Sequence, residues 1–133
     1  MIKNLSFVFS ALLLFGCATP QLRAVKAARD LPHQALIADV PFIAQTKNHC
    51  GPAAMAMMLR WSAKAGRLNE APATSEDLAA QVFTPGREGS LQTDMLAAGR
   101  RHGRLVVPIR DLHLLLSEMA AGNPVLVLQN LGL

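Results

Sequence analysis

The sequence predicts a single α+β domain in which helices come first and one apolar strand lies near the C-terminal end. The chain has 133 residues, a length that suits one domain. Of these, 51% are hydrophobic and 17% are charged, which excludes a disordered chain. Apolar residues recur at helical spacing in the middle of the chain, and residues 124–129 form an apolar run typical of a buried strand. Two cysteines are too few for a disulfide-rich scaffold, and a net charge of +4 indicates no particular class of partner.

Residues 1–16 are predicted to be a secretory signal peptide. Lys3 precedes an apolar run, residues 5–15, that only two serines interrupt, and Gly16 follows it. A cationic start, an apolar core of about 7–15 residues and a small residue at its end are typical of such signals. The run is shorter than the roughly 20 apolar residues that span a bilayer. The alternatives are an uncleaved apolar anchor and a buried first helix.

Residues 14–17, Leu-Phe-Gly-Cys, resemble the lipobox of bacterial lipoproteins, in which cleavage precedes the cysteine and its thiol is acylated. The resemblance implies a lipid anchor at Cys17 and a place in the bacterial cell envelope. In lipoproteins of this kind, residues such as Ala-Thr at 18–19, with no Asp, are typical of the outer membrane, so the same resemblance implies a place there, facing the periplasm. Cys50 is then the remaining thiol in an oxidising compartment, with no cysteine to form a disulfide.

Residues 17–34 are predicted to form a tether, and residues 35–133 the folded domain. The domain opens with an extended segment at residues 35–43. Residues 51–64 are predicted to be a helix, since Pro52 suits a first helical turn. Apolar residues recur on one face of this helix, namely Ala54, Met57, Met58, Trp61 and Ala65.

Two further helices are predicted on either side of a loop at residues 84–89, which is rich in turn-forming residues. Ser75 is expected to cap the first of them, which runs to about Val82 and has acidic residues in its first turn. Ser90 is expected to cap the second, and Gly103 is expected to end it. The apolar side of that second helix holds Leu91, Met95 and Ala98.

The remaining residues predict a short strand, a helix and a longer strand. Residues 105–108 suit the short strand, and Asp111 is expected to open a helix that Gly122 closes. Residues 124–129 are predicted to be the longer strand. Because a lone apolar strand needs neighbours on its edges, it is expected to be the first strand of a sheet whose remainder is absent.

The segment of residues 45–59 carries the strongest chemical signal. It places the thiol of Cys50 at the N-terminus of a predicted helix, where unpaired N–H groups and the helix dipole favour the nucleophilic thiolate. Gly51 allows a substrate backbone to approach closely. Gln45, five residues before Cys50, has a side-chain amide that can donate a hydrogen bond to an oxyanion. The alternative is that Cys50 is a small buried apolar residue and Gln45 an ordinary loop residue.

Gln45 followed by Cys-Gly-Pro-Ala-Ala at residues 50–54 resembles the papain-like cysteine peptidases of the bacteriocin-processing type, also called double-glycine-leader peptidases. Residues 85–92 and 122–128 resemble the same family, so the resemblance covers about residues 35–133. It implies a papain-like fold, of which this chain would hold the helical half plus the first sheet strand only.

The same resemblance implies roles for two residues. Cys50 would be the catalytic nucleophile and Gln45 the oxyanion-hole donor, with a peptide or protein as substrate and no cofactor. The family's catalytic histidine, and the Asp or Asn that orients it, follow the segment at which this chain ends. The domain is therefore expected to be C-terminally incomplete, at residues 35–133.

A cysteine peptidase needs a histidine to take the thiol proton and return it to the leaving group. The chain has four histidines, and each is interpreted as a solvated or capping residue rather than as the base: His33, His49, His102 and His113. Little or no peptidase activity is therefore expected of the chain by itself.

No metal and no nucleic acid is expected as a partner. His49 and Cys50 are the only close pair of metal ligands, whereas a closed zinc site needs four. Glu88 and Asp94 are interpreted as a loop charge and a first-turn charge. The densest basic region lacks aromatic residues that would stack on bases, and is interpreted as a solvated helix end: Arg100, Arg101, Arg104 and Arg110.

The resemblance therefore implies a cysteine peptidase-like lipoprotein in which the Cys50 thiolate attacks peptide bonds and Gln45 holds the oxyanion, but which is expected to be inactive as given because the family's His and Asp are missing. One alternative is a non-catalytic envelope lipoprotein that binds a peptide or a partner protein. Another is a gene fragment that does not fold stably, because its last strand lacks neighbours.

Overall fold

A computed structural model describes residues 23, 25, 26 and 28–128. The predicted signal peptide at residues 1–16, the predicted lipidation residue Cys17 and the first part of the tether lie outside the described residues. Gln129, at the end of the predicted longer strand, also lies outside them. Within the described ranges, no helix combines the length and the apolar character needed to cross a bilayer.

From residue 28 to residue 128, the chain forms four α-helices and one two-stranded antiparallel sheet. The elements in chain order are α1 (Cys50–Ala65), α2 (Ser75–Val82), β1 (Phe83–Thr84), a 3₁₀ turn (Pro85–Arg87), β2 (Gly89–Ser90), α3 (Gln92–Arg101) and α4 (Leu112–Ala120). The fold is thus a mixture of helices with a small sheet, which confirms the α+β class in this coarse form.

The hydrophobic core lies between the first three helices. It consists of seven buried residues: Met55, Ala56 and Leu59 from α1, Leu78 and Val82 from α2, and Met95 and Ala98 from α3. Leu78, Ala56 and Ala98 have no exposed surface. Burial of apolar side chains is the main favourable term in folding, so these three helices form the stable unit that carries the Cys50 segment.

The face of α1 that was predicted to be buried is not the one that is buried. The buried face is rotated from it about the helix axis. The residues predicted to face the core, Ala54, Met57, Met58, Trp61 and Ala65, are half-buried or exposed. The buried residues of α1 are instead Pro52, Ala53, Met55, Ala56 and Leu59. Because α1 is apolar around much of its circumference, its periodicity alone does not select the buried face.

Two of the predicted helix starts shift by one residue each. Thr74, not Ser75, caps α2, and its Oγ1 accepts a 3.1 Å hydrogen bond from the Asp77 amide. Ser90 belongs to β2, and Leu91 precedes α3 without a side-chain cap. The cap predicted for α4 is confirmed.

Glycines end α3 and α4, as predicted from the sequence. Gly103 and Gly122 adopt positive φ angles of 69° and 86°. After α3, the amides of Gly103 and Arg104 donate to the carbonyls of Arg100 and Gly99 at 2.9 and 3.0 Å. This hydrogen-bond pair is a Schellman motif, in which a residue with positive φ terminates the helix.

The segments predicted to be strands at residues 105–108 and 124–129 are not strands in the described residues. The sheet is formed instead by β1 and β2, which pair Phe83 with Ser90 and Thr84 with Gly89. Residues 105–108 and 124–128 have no backbone ladder to a neighbour, and a strand requires such pairing. The expectation of a first sheet strand near the C-terminal end is therefore wrong for the described chain.

Candidate functional site

Cys50 is the first residue of α1, and its side chain is exposed. The amide of Ala53 is already bonded to the His49 carbonyl at 3.1 Å, and Pro52 has no N–H. The amides of Cys50 and Gly51 have no acceptor among the described residues. The start of α1 therefore offers a thiol beside two free N–H donors, an arrangement that can stabilise an anion.

Gln45 lies on the other side of a tight turn from Cys50. The His49 amide donates to the Thr46 carbonyl at 3.1 Å, which closes the turn, and Asn48 within it has a φ of 63°. Because a β-turn brings its first and last residues close together, Gln45 and Cys50 flank the same turn. Both side chains are exposed, so a ligand can reach them.

Two side-chain contacts hold this turn against the β1–β2 hairpin. Asn48 Nδ2 donates to Glu88 Oε2 at 3.3 Å. The His49 ring lies edge-on to the ring of Phe83, with 4.6 Å between the centroids. Glu88 thus lies in a loop, as the sequence predicts, and its hydrogen-bond partner Asn48 is 40 residues away, so only folding joins them.

Gly51 packs directly against Ser90 of β2. A Cβ atom at position 51 would lie 2.2 Å from Ser90 Oγ and 2.6 Å from Ser90 Cβ, closer than real Cβ atoms approach. The Ser90 hydroxyl is buried, and it has no hydrogen-bond partner among the described residues. Glycine at position 51 thus lets the start of α1 approach the hairpin. This is a structural role in addition to the substrate access that the sequence predicts for Gly51.

None of the four histidines contacts Cys50 in the described hydrogen bonds. His49 Nδ1 makes a short contact with Thr46 Oγ1, and its ring packs on Phe83. His102 Nε2 lies 3.4 Å from Gln81 Nε2. The structure thus places these histidines in contacts that do not involve the thiol.

His113 is the one histidine with a carboxylate partner among the described residues. Its Nε2 lies 3.2 and 3.4 Å from the two carboxylate oxygens of Asp30. A backbone hydrogen bond, and then the His113 side chain, lower the pKa of the Asp30 carboxyl. Because 83 residues separate Asp30 from His113, no local pattern in the sequence indicates this pair.

The basic region is not wholly a solvated helix end, which corrects the sequence interpretation. Arg104 is only 15% exposed at its side chain and forms an ion pair with Glu70. It also donates to Ser62 Oγ at 2.6 Å and to the His102 carbonyl at 2.8 Å. Arg104 therefore connects α1, the end of α3 and the loop before α2.

Beside the core, an open apolar cavity of about 780 Å³ separates α1 and α3 from α4. Met58, Trp61 and Leu115 are among its lining residues, together with the extended residues 105–109 and 124–128. Cys50 and Gln45 do not line it. Among the described residues, no group of three or more His, Cys, Asp or Glu side chains is placed to hold a metal ion.

In the structure, Cys50 begins a helix and Gln45 flanks the preceding turn. Comparison of the chain with protein-family models, with proteins of known function and with solved structures found no match.

Proposed function

We propose that this protein is a cysteine peptidase-like lipoprotein whose Cys50 thiolate attacks the carbonyl carbon of a peptide bond. The observation that carries the proposal is the position of an exposed thiol at the first residue of α1, next to unpaired backbone amides. Such amides favour the thiolate, which is the nucleophilic form of cysteine.

Gln45 is proposed to stabilise the oxyanion that forms on the substrate carbonyl. Its side chain is exposed and flanks the turn that leads to Cys50. The Cys50 amide, which has no acceptor among the described residues, is placed to supply a second donor. Removing one such donor costs about 100-fold to 1,000-fold in rate in enzymes that depend on it.

Turnover also needs a group that accepts the thiol proton and returns it to the leaving amine. The described contacts bring no histidine to Cys50. We therefore expect thiol reactivity from these residues, but little or no peptide hydrolysis by the chain alone.

The lipoprotein part of the proposal rests on the sequence of residues 1–17. Acylation of Cys17 would attach the protein to the bacterial cell envelope, at the outer membrane facing the periplasm, because more than one acyl chain gives stable anchoring. Metabolic labelling with a palmitate analogue tests it, and a Cys17→Ser variant that still carries the label would overturn it.

The alternative is a non-catalytic envelope lipoprotein that binds a peptide or a partner protein. The contacts of His49, His102 and His113 with groups other than Cys50 favour it. Under this alternative, Cys50 behaves as an ordinary thiol.

The test is the rate at which iodoacetamide alkylates Cys50 in a Cys17→Ser variant, measured from pH 5 to pH 9. The proposal expects rapid alkylation well below pH 8. A folded protein whose alkylation rises only above pH 8, as for a free thiol, would overturn the peptidase assignment and favour the binding protein. Absence of cooperative unfolding in urea would instead favour the unstable gene fragment.

A peptide aldehyde tests the role of Gln45 separately, because it adds to the thiolate and places an oxyanion in the hole. Gln45→Ala should leave iodoacetamide alkylation unchanged and weaken aldehyde binding, by about tenfold or more. Equal aldehyde affinity in the two proteins would remove Gln45 from the proposed site. Gln34→Ala, at an exposed glutamine far from Cys50 in the sequence, is the matched control.

A further inference from the structure

Residues 28–36, here called the strap, lie against α4 and are loosely packed there. A cavity of about 560 Å³ lies between strap residues such as Leu31 and Pro32 and the α4 residues Leu116 and Met119. No backbone hydrogen bond joins the strap to α4 in the described part of the chain. Few contacts therefore hold the strap in place, so it belongs to the least stable part of the fold.

One polar contact does connect the strap to α4. Asp30 presents its two carboxylate oxygens to His113 Nε2, at 3.4 and 3.2 Å. The side chains of His113 and Asp30 are 45% and 66% exposed, so protons reach both groups from solvent. Ser117 Oγ donates to the His113 carbonyl at 2.8 Å and lies 3.4 Å from Nδ1, the other nitrogen of the His113 ring.

The other charged groups described on the strap and on α4 do not form a contact that could take the place of the Asp30–His113 pair. Asp111 accepts a 3.1 Å hydrogen bond from the His113 amide as the cap of α4. Glu118 accepts a 2.7 Å hydrogen bond from Asn123 at the far end of the helix. On the strap, Arg29 and His33 flank Asp30 and are exposed, and no described hydrogen bond joins either of them to His113.

We propose that Asp30 and His113 form a pH-dependent latch, which holds the strap on α4 while the imidazole is protonated and weakens when it loses its proton. The imidazolium donates a charge-assisted hydrogen bond to the carboxylate, whereas the neutral ring retains at most an uncharged one. Histidines change charge between about pH 5 and pH 8. The latch is therefore stronger at pH 5.5 than at pH 8.

At low pH, protonation of the Asp30 carboxylate also breaks the latch. The lowered pKa of Asp30 keeps its carboxyl ionised to a lower pH than usual, and the pair is lost only as the pH falls through that value. Release of the strap uncovers Leu116, Met119 and Ala120, which line the cavity beneath it.

Limited trypsin digestion of the full chain tests the latch. The ratio of cleavage after Arg29, in the strap, to cleavage after Arg67, in the exposed turn that follows α1, cancels the pH dependence of the protease. Because an exposed ion pair is weak, the ratio should rise only about twofold to fivefold from pH 5.5 to pH 8. An unchanged ratio in the unmodified protein would overturn the proposal.

Two variants separate charge from shape without altering the cleaved bond. His113→Gln should give a high ratio at both pH values, and His113→Lys, which stays charged at pH 8, a low ratio at both. His102→Gln, at a histidine that contacts Gln81, is the matched control and should keep the normal response. The latch would be contradicted if the cleavage ratio of His113→Gln or of His113→Lys changed with pH as in the unmodified protein. It would also be contradicted if His102→Gln lost that change.

Discussion

At the scale of single residues, the approach of Gly51 to Ser90 fixes the position of Cys50. A side chain at position 51 would overlap Ser90, whose Oγ lies 2.2 Å from the position of the missing Cβ. The start of α1 can therefore contact the β1–β2 hairpin only because residue 51 has no side chain. Asn48 and Glu88, both with positive φ and joined at 3.3 Å, add a second point of contact.

Replacement of Gly51 by alanine should destabilise the protein, by about 1–3 kcal/mol, because the new Cβ overpacks against Ser90. Urea unfolding measures the change. Gly86→Ala is the control, since a Cβ at position 86 meets nothing within 4 Å. A Ser90→Gly substitution added to Gly51→Ala should restore part of the loss, and equal stability of Gly51→Ala and the unmodified protein would contradict the close approach.

At the scale of elements, local signals determine where the helices end but tertiary contacts determine how they pack. Asp111 caps α4 and glycines at 103 and 122 end α3 and α4, as the sequence predicts. Each of these signals acts on backbone groups within a few residues. The buried face of α1 was predicted wrongly, since it depends on α2 and α3, which pack against it.

Thr74→Ala should cost about 1 kcal/mol of unfolding free energy, because it removes the acceptor for the Asp77 amide at the start of α2. Thr74→Ser, which keeps the hydroxyl, should cost much less. Chemical denaturation of both variants provides the measurement. The cap assignment would be wrong if Ser75→Ala, and not Thr74→Ala, gave the larger loss of stability.

At the scale of the whole molecule, stability is concentrated in three of the four helices. The core draws on α1, α2 and α3, whereas α4 contributes no buried residue. Apolar side chains beside α4 remain open, with Leu105 93% and Leu128 68% exposed. The strap and α4 therefore form the part of the described chain in which a weak surface ion pair can change a local equilibrium.

Leu78→Ala should therefore destabilise the whole fold, by about 2–5 kcal/mol, because Leu78 is fully buried among the three helices. Leu105→Ala, at a residue that is 93% exposed, should change stability very little. Thermal unfolding followed by circular dichroism compares them. If Leu78→Ala does not fold, Leu78→Met should still unfold cooperatively, with a smaller loss of stability. A Leu78→Met protein as stable as Leu105→Ala would leave the core assignment intact. Equal stabilities of Leu78→Ala and Leu105→Ala would overturn it.

The sequence by itself determined that helices predominate over strands in the described chain, that Cys50 begins a helix and that glycines end two others, because these features depend on residues adjacent in the chain. Only the tertiary structure decided the partial burial of Arg104, the contact of Asn48 with Glu88 and the pairing of Asp30 with His113. It also left residues 105–108 and 124–128 without a ladder, although their composition favours strands. Strand pairing and long-range contacts depend on partners that are distant in sequence, which local periodicity cannot identify.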